Sequence, residues 1–243
     1  MIEITNTEIF GFEGAIRGLR NPMNSWDKSD SEDCFCVENT ECKYYDKDSD
    51  SCRCGCFAIG DNDMALAKKL IKAGSDHRKF MRMIHVQTDV LAPLYWWKEY
   101  DTYKVGTVAN SCSTMHKIHA KEFAIEDFSH EHLMDSSLCI LEDTITMMNF
   151  WRSKFIEQTH PDTKNDKHLS AKECWWQMIQ LLPSSYNQMR TIDLNYEVLL
   201  NIYFARKNHK LDEWSGEKGF CSWIKTLPYM REFLGLEKEN DNN

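Results

Sequence analysis

The sequence predicts an α+β protein, and three observations carry that expectation. Residues 1–20 read as a strand followed by an early helix, residues 80–94 hold β-branched and apolar residues in partial alternation, and later segments repeat apolar residues at spacings of three and four. With 42% hydrophobic and 12% aromatic residues among 243, one large core can be buried. A single domain over 1–236 is therefore expected, with a charged, frayed tail at 237–243.

Taken in order, the strand and helix of 1–20 open the domain. Residues 21–57, rich in Asn, Asp, Ser and Cys, read as an inserted acidic, cysteine-rich loop. From Asp61 a helix is expected: Asp61 as its cap, Met64, Ala67, Leu70 and Ile71 as its apolar face, and Gly74 at its end. Phe80 to Leu94 fits either a strand or a buried helix. Ser129 is placed to cap a turn before a long helix, in which Leu138, Leu141, Ile145, Met148, Trp151 and Phe155 recur on one side. Polar residues around Pro161 make 159–170 a loop. Helices follow at about 171–182 and 194–208, and a last short one near 220–234.

Net charge −9, with acidic stretches at 27–33 and 46–50, leaves no broad footprint for duplex DNA or an anionic membrane. The first residues lack the basic and apolar regions of a signal peptide, and no apolar run reaches the ~18 residues of a membrane span. A soluble, cytoplasmic protein with reduced cysteines is the expectation. No Gly-x-Gly-x-x-Gly, P-loop or Gly-x-Ser-x-Gly occurs, which leaves Rossmann-type dinucleotide binding, phosphate-loop ATPase activity and serine hydrolysis unsupported. The pairs His116/His119 and His130/His132 lack a matched carboxylate and read as surface or hydrogen-bonded histidines.

Six of the ten cysteines, Cys34, Cys36, Cys42, Cys52, Cys54 and Cys56, crowd the acidic insertion. Cys-x-Cys pairs can meet at a tetrahedral zinc, for which Cys34, Cys36, Cys52 and Cys54 are the candidate ligands. The spacing is not a standard ribbon, and disulfides, free thiols and a redox role stay open. Cys112, Cys139, Cys174 and Cys221 stand alone and read as small buried hydrophobes.

The densest mixture of aromatic and polar residues runs from Ala92 to His116. Tyr95, Trp96, Trp97 and Tyr100 stand beside Lys98 and Lys104, followed by Gly106, Thr107, Asn110, Ser113 and Thr114. Aromatic planes beside cations and short polar side chains suit a flat ring with an anionic tail. A tryptophan-rich core edge with a polar turn explains the same letters equally well.

Toward the C-terminus come Leu182-Pro183-Ser184-Ser185-Tyr186, then Asn195, Asn201, the run Leu199 to Arg206, and Glu213-Trp214. This order resembles the end of flavin-dependent thymidylate synthases, where a proline turn precedes a helix that carries polar nucleotide ligands and ends at an arginine. Upstream, His77 with Phe80 nearby, the Lys98-Glu99-Tyr100 step, Lys104, Asn110, Ser113 and His116 follow a similar order. The resemblance covers roughly 61–120 and 171–215. It departs in two places: the Arg-His-Arg signature is missing, and Glu197 falls where the family has an arginine that helps hold the nucleotide, so repulsion toward an anion is expected there.

The resemblance implies a ThyX-like mixed sheet with long helices, assembled as a homotetramer with sites between subunits. It also implies FAD as cofactor, folate and NADPH as co-substrates, and a pyrimidine nucleotide as substrate and partner. Arg206 would then stabilise charge developing at the pyrimidine edge. Lys104 and His116 would bind phosphate, with Ser113 and Asn110 orienting it and Asn195 completing the nucleotide set; His77, Trp97 and Asn201 would line the flavin. Two other classes remain: a non-catalytic nucleotide or flavin binder on the same fold, and a zinc-bearing interaction protein. For Arg206 the plain alternative is a cation at a helix C-terminus, favourable by about 0.3–1 kcal/mol.

Overall fold

Alternation at the start of the chain becomes strand β1 (Glu3–Phe10), and the helical spacing after it becomes α1 (Phe12–Arg20). The computed structural model describes residues 2–34, 45–46, 51–52, 57–160 and 169–236. The next strands are β2 (Glu32–Asp33), β3 (Tyr45–Asp46), β4 (Ser51–Cys52) and β5 (Phe57–Ala58), followed by α2 (Asp61–Lys72), β6 (His85–Pro93), α3 (Leu94–Tyr100), β7 (Thr107–Ser111) and α4 (Thr114–Lys117). The chain ends with α5 (Asp135–Thr159), α6 (Ala171–Leu181), β8 (Asn187–Asn195), α7 (Tyr196–Arg206), α8 (Asp212–Ser215), α9 (Phe220–Ile224) and α10 (Met230–Leu234).

The main sheet has the order β1-β6-β8-β7. Side chains mark two of its pairings as antiparallel. Asn6 meets Asp89 and Thr7 meets Thr88, while His85 and Gln87 reach Asp193 and Thr191 reaches Asp89. The parallel component of a mixed sheet does not occur in those pairs. Residues 80–94 are settled as a short 3-10 turn and a strand, because Val86, Thr88, Val90 and Ala92 are buried on one face with a period of two. The strand β8 was not anticipated, although Gln188, Ile192 and Leu194 carry the same alternation.

The chain divides into two compact units whose segments interleave. Unit 1 takes residues 1–3, 90–102 and 110–190. Its core joins Ile118, Phe123 and Phe128 to Leu141, Ile145 and Met148 of α5 and Met178 of α6, with Trp151, Phe155 and Trp175 packed against them. The long helix expected from the three-and-four spacing is thus present with its expected face inward. It begins at Asp135, and Ser129 instead bonds Asn187 through its hydroxyl. Ser170 and Glu173 form a reciprocal capping box that starts α6.

Unit 2 takes residues 4–89, 103–109 and 191–243. Phe12 makes edge contacts with Tyr196 and Tyr229, and Phe233 makes them with Tyr196 and Phe80. The Tyr229 hydroxyl donates to the Phe57 carbonyl and accepts from the Ile59 amide, which ties β5 to the C-terminal helices. The expected last helix is two short ones, α9 and α10.

The segment between α1 and α2 is anchored at its base. Strands β2 and β5 pair antiparallel, with Glu32 opposite Ala58 and Asp33 opposite Phe57, and β3 pairs with β4. Residues 29–31 then wrap the start of α2. Asp61 is not the cap: the Asp30 carboxylate accepts from the Asn62 and Asp63 amides at 2.9 and 3.1 Å. Gly60 permits this, since a Cβ there would lie 2.2 Å from Asp30 Cγ. Asp63 itself is fully buried and accepts from Arg20 Nε at 2.6 Å, Ser29 Oγ at 2.7 Å and Ser31 Oγ at 2.6 Å. Burial pushes its pKa up, but the bonds from Ser31, Ser29 and Arg20, with the Arg20 charge, hold it below the ordinary carboxyl value.

Candidate functional site

Helix α7 follows β8 without a loop, and its first turn is fixed on both sides. The Tyr196 amide donates to the Ile84 carbonyl, and Asn195 Oδ1 caps the helix by accepting from the Val198 amide at 3.1 Å. Gly106 closes over that cap. Its φ of +74° suits glycine, and a Cβ would lie 2.8 Å from Asn195 Nδ2. The expected nucleotide ligand Asn195 is therefore a buried helix cap under the turn that follows Lys104.

One and two turns along α7, Glu197 and Asn201 share a face, as residues four apart do. Arg78 spans both, with Nε 3.1 Å from Glu197 Oε1 and a terminal amine 2.9 Å from Asn201 Oδ1. Arg82 donates from Nε to Glu197 Oε2 and from a terminal amine to Oε1 at 3.4 Å. Burial raises the Glu197 pKa, but bonds from Arg82 and Arg78 and their charges bring it below its ordinary value. The expectation that Glu197 adds repulsion toward an anion is overturned. Arg78 and Arg82 both pair with its carboxylate, and the Asp76 charge acts on Arg82 as well.

At the end of α7, Arg206 donates from Nε to the Tyr103 hydroxyl at 2.9 Å. Its guanidinium lies 5.1 Å from the Trp214 ring centroid and 5.7 Å from that of Tyr103. The C-terminal arginine and the residue before Lys104 are thus brought together within one chain. Lys104 is exposed, and His77 is exposed in the turn after α2, directly before Arg78.

Trp97 is a correction. Only 1% exposed, it donates from Nε1 to the Gln188 carbonyl at 2.9 Å, and Arg190 lies 4.2 Å from its ring centroid. With Trp96 and Tyr100 it forms an aromatic cluster in unit 1. It offers no face to a flavin, so for these residues the core-edge reading holds.

Unit 1 contributes a cleft of about 440 Å³, lined among others by Ser113, Thr114, Lys117, Lys121, Asp127 and Tyr186. Its rim is fixed by Gln188 Nε2 donating to the Cys112 carbonyl at 2.9 Å and by the Cys112 amide donating to the Met189 carbonyl at 3.0 Å. Ser113 caps α4, its Oγ accepting from the His116 amide at 3.1 Å. The His116 and Asn110 side chains are exposed, and neither residue lines the cleft. Lys121 bonds Asp127, which raises its pKa; burial, then the Asp127 charge, raises that of Tyr186, so the phenol stays protonated at neutral pH. Sequence reading missed Lys117, at the end of α4, and Lys121 in the turn after it, and also Arg78 and Arg82 near His77. Both were visible as cations flanking residues already chosen.

The cysteine expectations fare unevenly. Cys34 is disulfide-bonded, so its sulfur is no thiolate ligand and is not the reduced thiol expected. Cys36 and Cys54, and the side chain of Cys52, lie outside the described residues. Among the described residues no group of His, Cys, Asp or Glu is arranged to hold a metal. Of the solitary cysteines, Cys174 and Cys221 are buried as expected, burial pushing the Cys221 thiol up to about 11, whereas Cys112 and Cys139 are exposed. No helix among the described residues is long and apolar enough to cross a membrane.

The fold is that of the flavin-dependent thymidylate synthases. The ThyX of Helicobacter pylori, crystallised with FAD and dUMP, superposes with a TM-score of 0.57 at 13% identity, over 96% of this chain and 97% of that one. A second structure of that enzyme with the same ligands gives 0.56 at 13% identity, over the same shares. A UMP/dUMP methylase, PolB from Streptomyces cacaoi bound with 5-Br dUMP, gives 0.49 at 10% identity, over 97% and 94%. No family model matches the sequence, and no curated protein matches it either. The resemblance read from the sequence is borne out by the fold.

Proposed function

We propose that this protein is a FAD-dependent enzyme of the thymidylate synthase type, acting on a pyrimidine nucleotide. The observation that supports it most is the closure of Arg206 onto Tyr103 beside Lys104, within a ThyX fold that extends over nearly the whole chain. The donors against α7 fit an anionic flavin nucleotide: Arg78 and Arg82 keep N–H groups beyond those given to Glu197 and Asn201, Asn201 is exposed, and His77 adjoins them in sequence. When bound, the flavin supplies the redox chemistry, with folate as one-carbon donor and NADPH as reductant. Arg206 holds its guanidinium where charge developing on the pyrimidine edge is stabilised. Ser113, Lys117 and Lys121 give the unit 1 cleft its affinity for phosphate, with Lys104, His116 and Asn110 as exposed donors beside it in sequence. The active assembly is a cytoplasmic homotetramer.

A second reading is favoured by one observation. The carboxylate at position 197 already occupies the two guanidiniums nearest the Asn201 face, which suits a protein that retains nucleotide or flavin binding and has lost the reaction.

The test is Arg206→Ala. dUMP should raise the melting temperature of the wild type, a ligand at about a hundredfold over its Kd adding ~2.7 kcal/mol. The variant should keep its fold and lose that increment. A variant that unfolds without ligand makes Arg206 a packing residue against Tyr103 and Trp214 and counts against the proposal.

A further inference from the structure

Tyr186 presents an unspent donor to the unit 1 cleft. Its backbone is fixed: the amide donates to the Pro183 carbonyl at 3.1 Å, the carbonyl accepts from the Leu94 amide at 3.0 Å, and an antiparallel bridge joins it to Phe128. Its ring is fixed as well, edge-on to Phe128 at 5.6 Å and to Phe123 at 6.5 Å between centroids. The hydroxyl has no hydrogen-bond partner among the described residues, and the charges of Asp127 and Lys121, both on the cleft wall, act on it. Those two are paired with each other, and Glu126 also lines the cleft, so cations alone do not decide what it takes. Ser113, Thr114 and Lys117 give the wall a second polar group. The Ser113 hydroxyl, which accepts from the His116 amide, still has its proton to donate, and Lys117 is exposed with no ion pair among the described residues. Leu91, Ile118, Phe123 and Met189 are the apolar part of the wall, and the volume of about 440 Å³ lies in the range of small-molecule sites.

We propose that Tyr186 determines what this cleft accepts, its hydroxyl donating to a carbonyl oxygen of a pyrimidine ring while Ser113 and Lys117 take the phosphate. An anion is the wrong partner for the phenol, because the Asp127 carboxylate near it already takes Lys121, and a further negative charge would compete for that lysine. An uncharged carbonyl makes no such demand. The ring of Tyr186 is already immobilised between Phe123 and Phe128, so little order is lost when the bond forms. The inference rests on the reading of this cleft as the nucleotide site and adds the residue that reads the base.

The experiment is calorimetric titration of the full chain with dUMP, deoxyuridine and deoxyribose 5-phosphate, on the wild type, Tyr186→Phe and Lys117→Ala. Tyr186→Phe should weaken dUMP and deoxyuridine by the same factor, about three- to tenfold, the worth of one neutral hydrogen bond, and leave deoxyribose 5-phosphate unchanged. Lys117→Ala should do the reverse, weakening dUMP and deoxyribose 5-phosphate about tenfold or more and leaving deoxyuridine unchanged. A phenol that only shaped the cleft would move all three ligands together. Phenylalanine keeps the ring contacts, and circular dichroism verifies folding. Should the variant misfold nonetheless, the wild type still decides: dUMP should bind about threefold or more tighter than deoxyribose 5-phosphate, and equal affinities overturn the proposal. Equal loss of dUMP and deoxyribose 5-phosphate in Tyr186→Phe, or no loss of dUMP, overturns this proposal alone and leaves the nucleotide reading standing. Failure of the wild type to bind dUMP overturns that reading and this one with it.

Discussion

Asp63→Ala should lower the stability of the protein by about 3–5 kcal/mol, the cost of leaving a buried partner charge unpaired. Arg20 would remain 5% exposed with its main partner gone, and Ser29, Ser31 and the Asp30 amide would lose their acceptor together. Against a typical total of about 5–15 kcal/mol, that is a large share. Asp63 also sits in the first turn of α2, where a negative charge is favoured, so Asp63→Asn should lose stability too while keeping the shape. The pH dependence has a definite sign. A carboxyl whose folded pKa is depressed contributes its full stability above its unfolded value of ~3.9, and that contribution disappears as pH falls through the folded value. Urea unfolding at neutral pH and in strong acid, below the unfolded carboxyl value of ~3.9, should show the wild type converging on Asp63→Asn only in the acid. Equal stabilities at neutral pH would contradict the role of Asp63 as the anchor of residues 29–31 on α2.

Glu197→Gln should be the second large effect. The carboxylate is 7% exposed and holds Arg78 and Arg82 on its two oxygens, so removing its charge leaves two guanidiniums facing a neutral amide. A cost of about 1–3 kcal/mol is expected for the unsatisfied donors. As with Asp63, the lowered pKa of Glu197 means the contribution is present above the ordinary carboxyl range and lost below it. The functional effect separates the two readings of the site. If the guanidiniums serve an anionic cofactor, releasing them should tighten FAD binding even as the apoprotein loses stability. Melting temperatures with and without FAD measure both; a variant equal to wild type in each would make the cluster incidental.

Much of the fold was legible because its signals are local. The apolar spacing of Leu141, Ile145 and Met148 fixed α5, and Ser170 with Glu173 marks the start of α6 in two letters. The cap of α2 was not legible, since its carboxylate comes from Asp30, thirty-odd residues away, through a glycine that leaves space for it. Trp97 was misread for a related reason: aromatic residues beside lysines look alike in a core edge and in a ring-binding site, and only burial separates them. Glu197 looked like a defect because its partners, Arg78 and Arg82, stand more than a hundred residues upstream. Arg206 was placed correctly at the end of its helix, but its contacts with Tyr103 and Trp214 required the fold.

The most direct measurement is the small-molecule content of the purified native protein, by visible absorbance and by mass spectrometry of what denaturation releases. The account predicts a yellow protein that yields FAD in an amount approaching one per chain, and that takes up FAD when it has been stripped. A colourless protein that releases no flavin and shows neither absorbance change nor thermal stabilisation on incubation with FAD would contradict it.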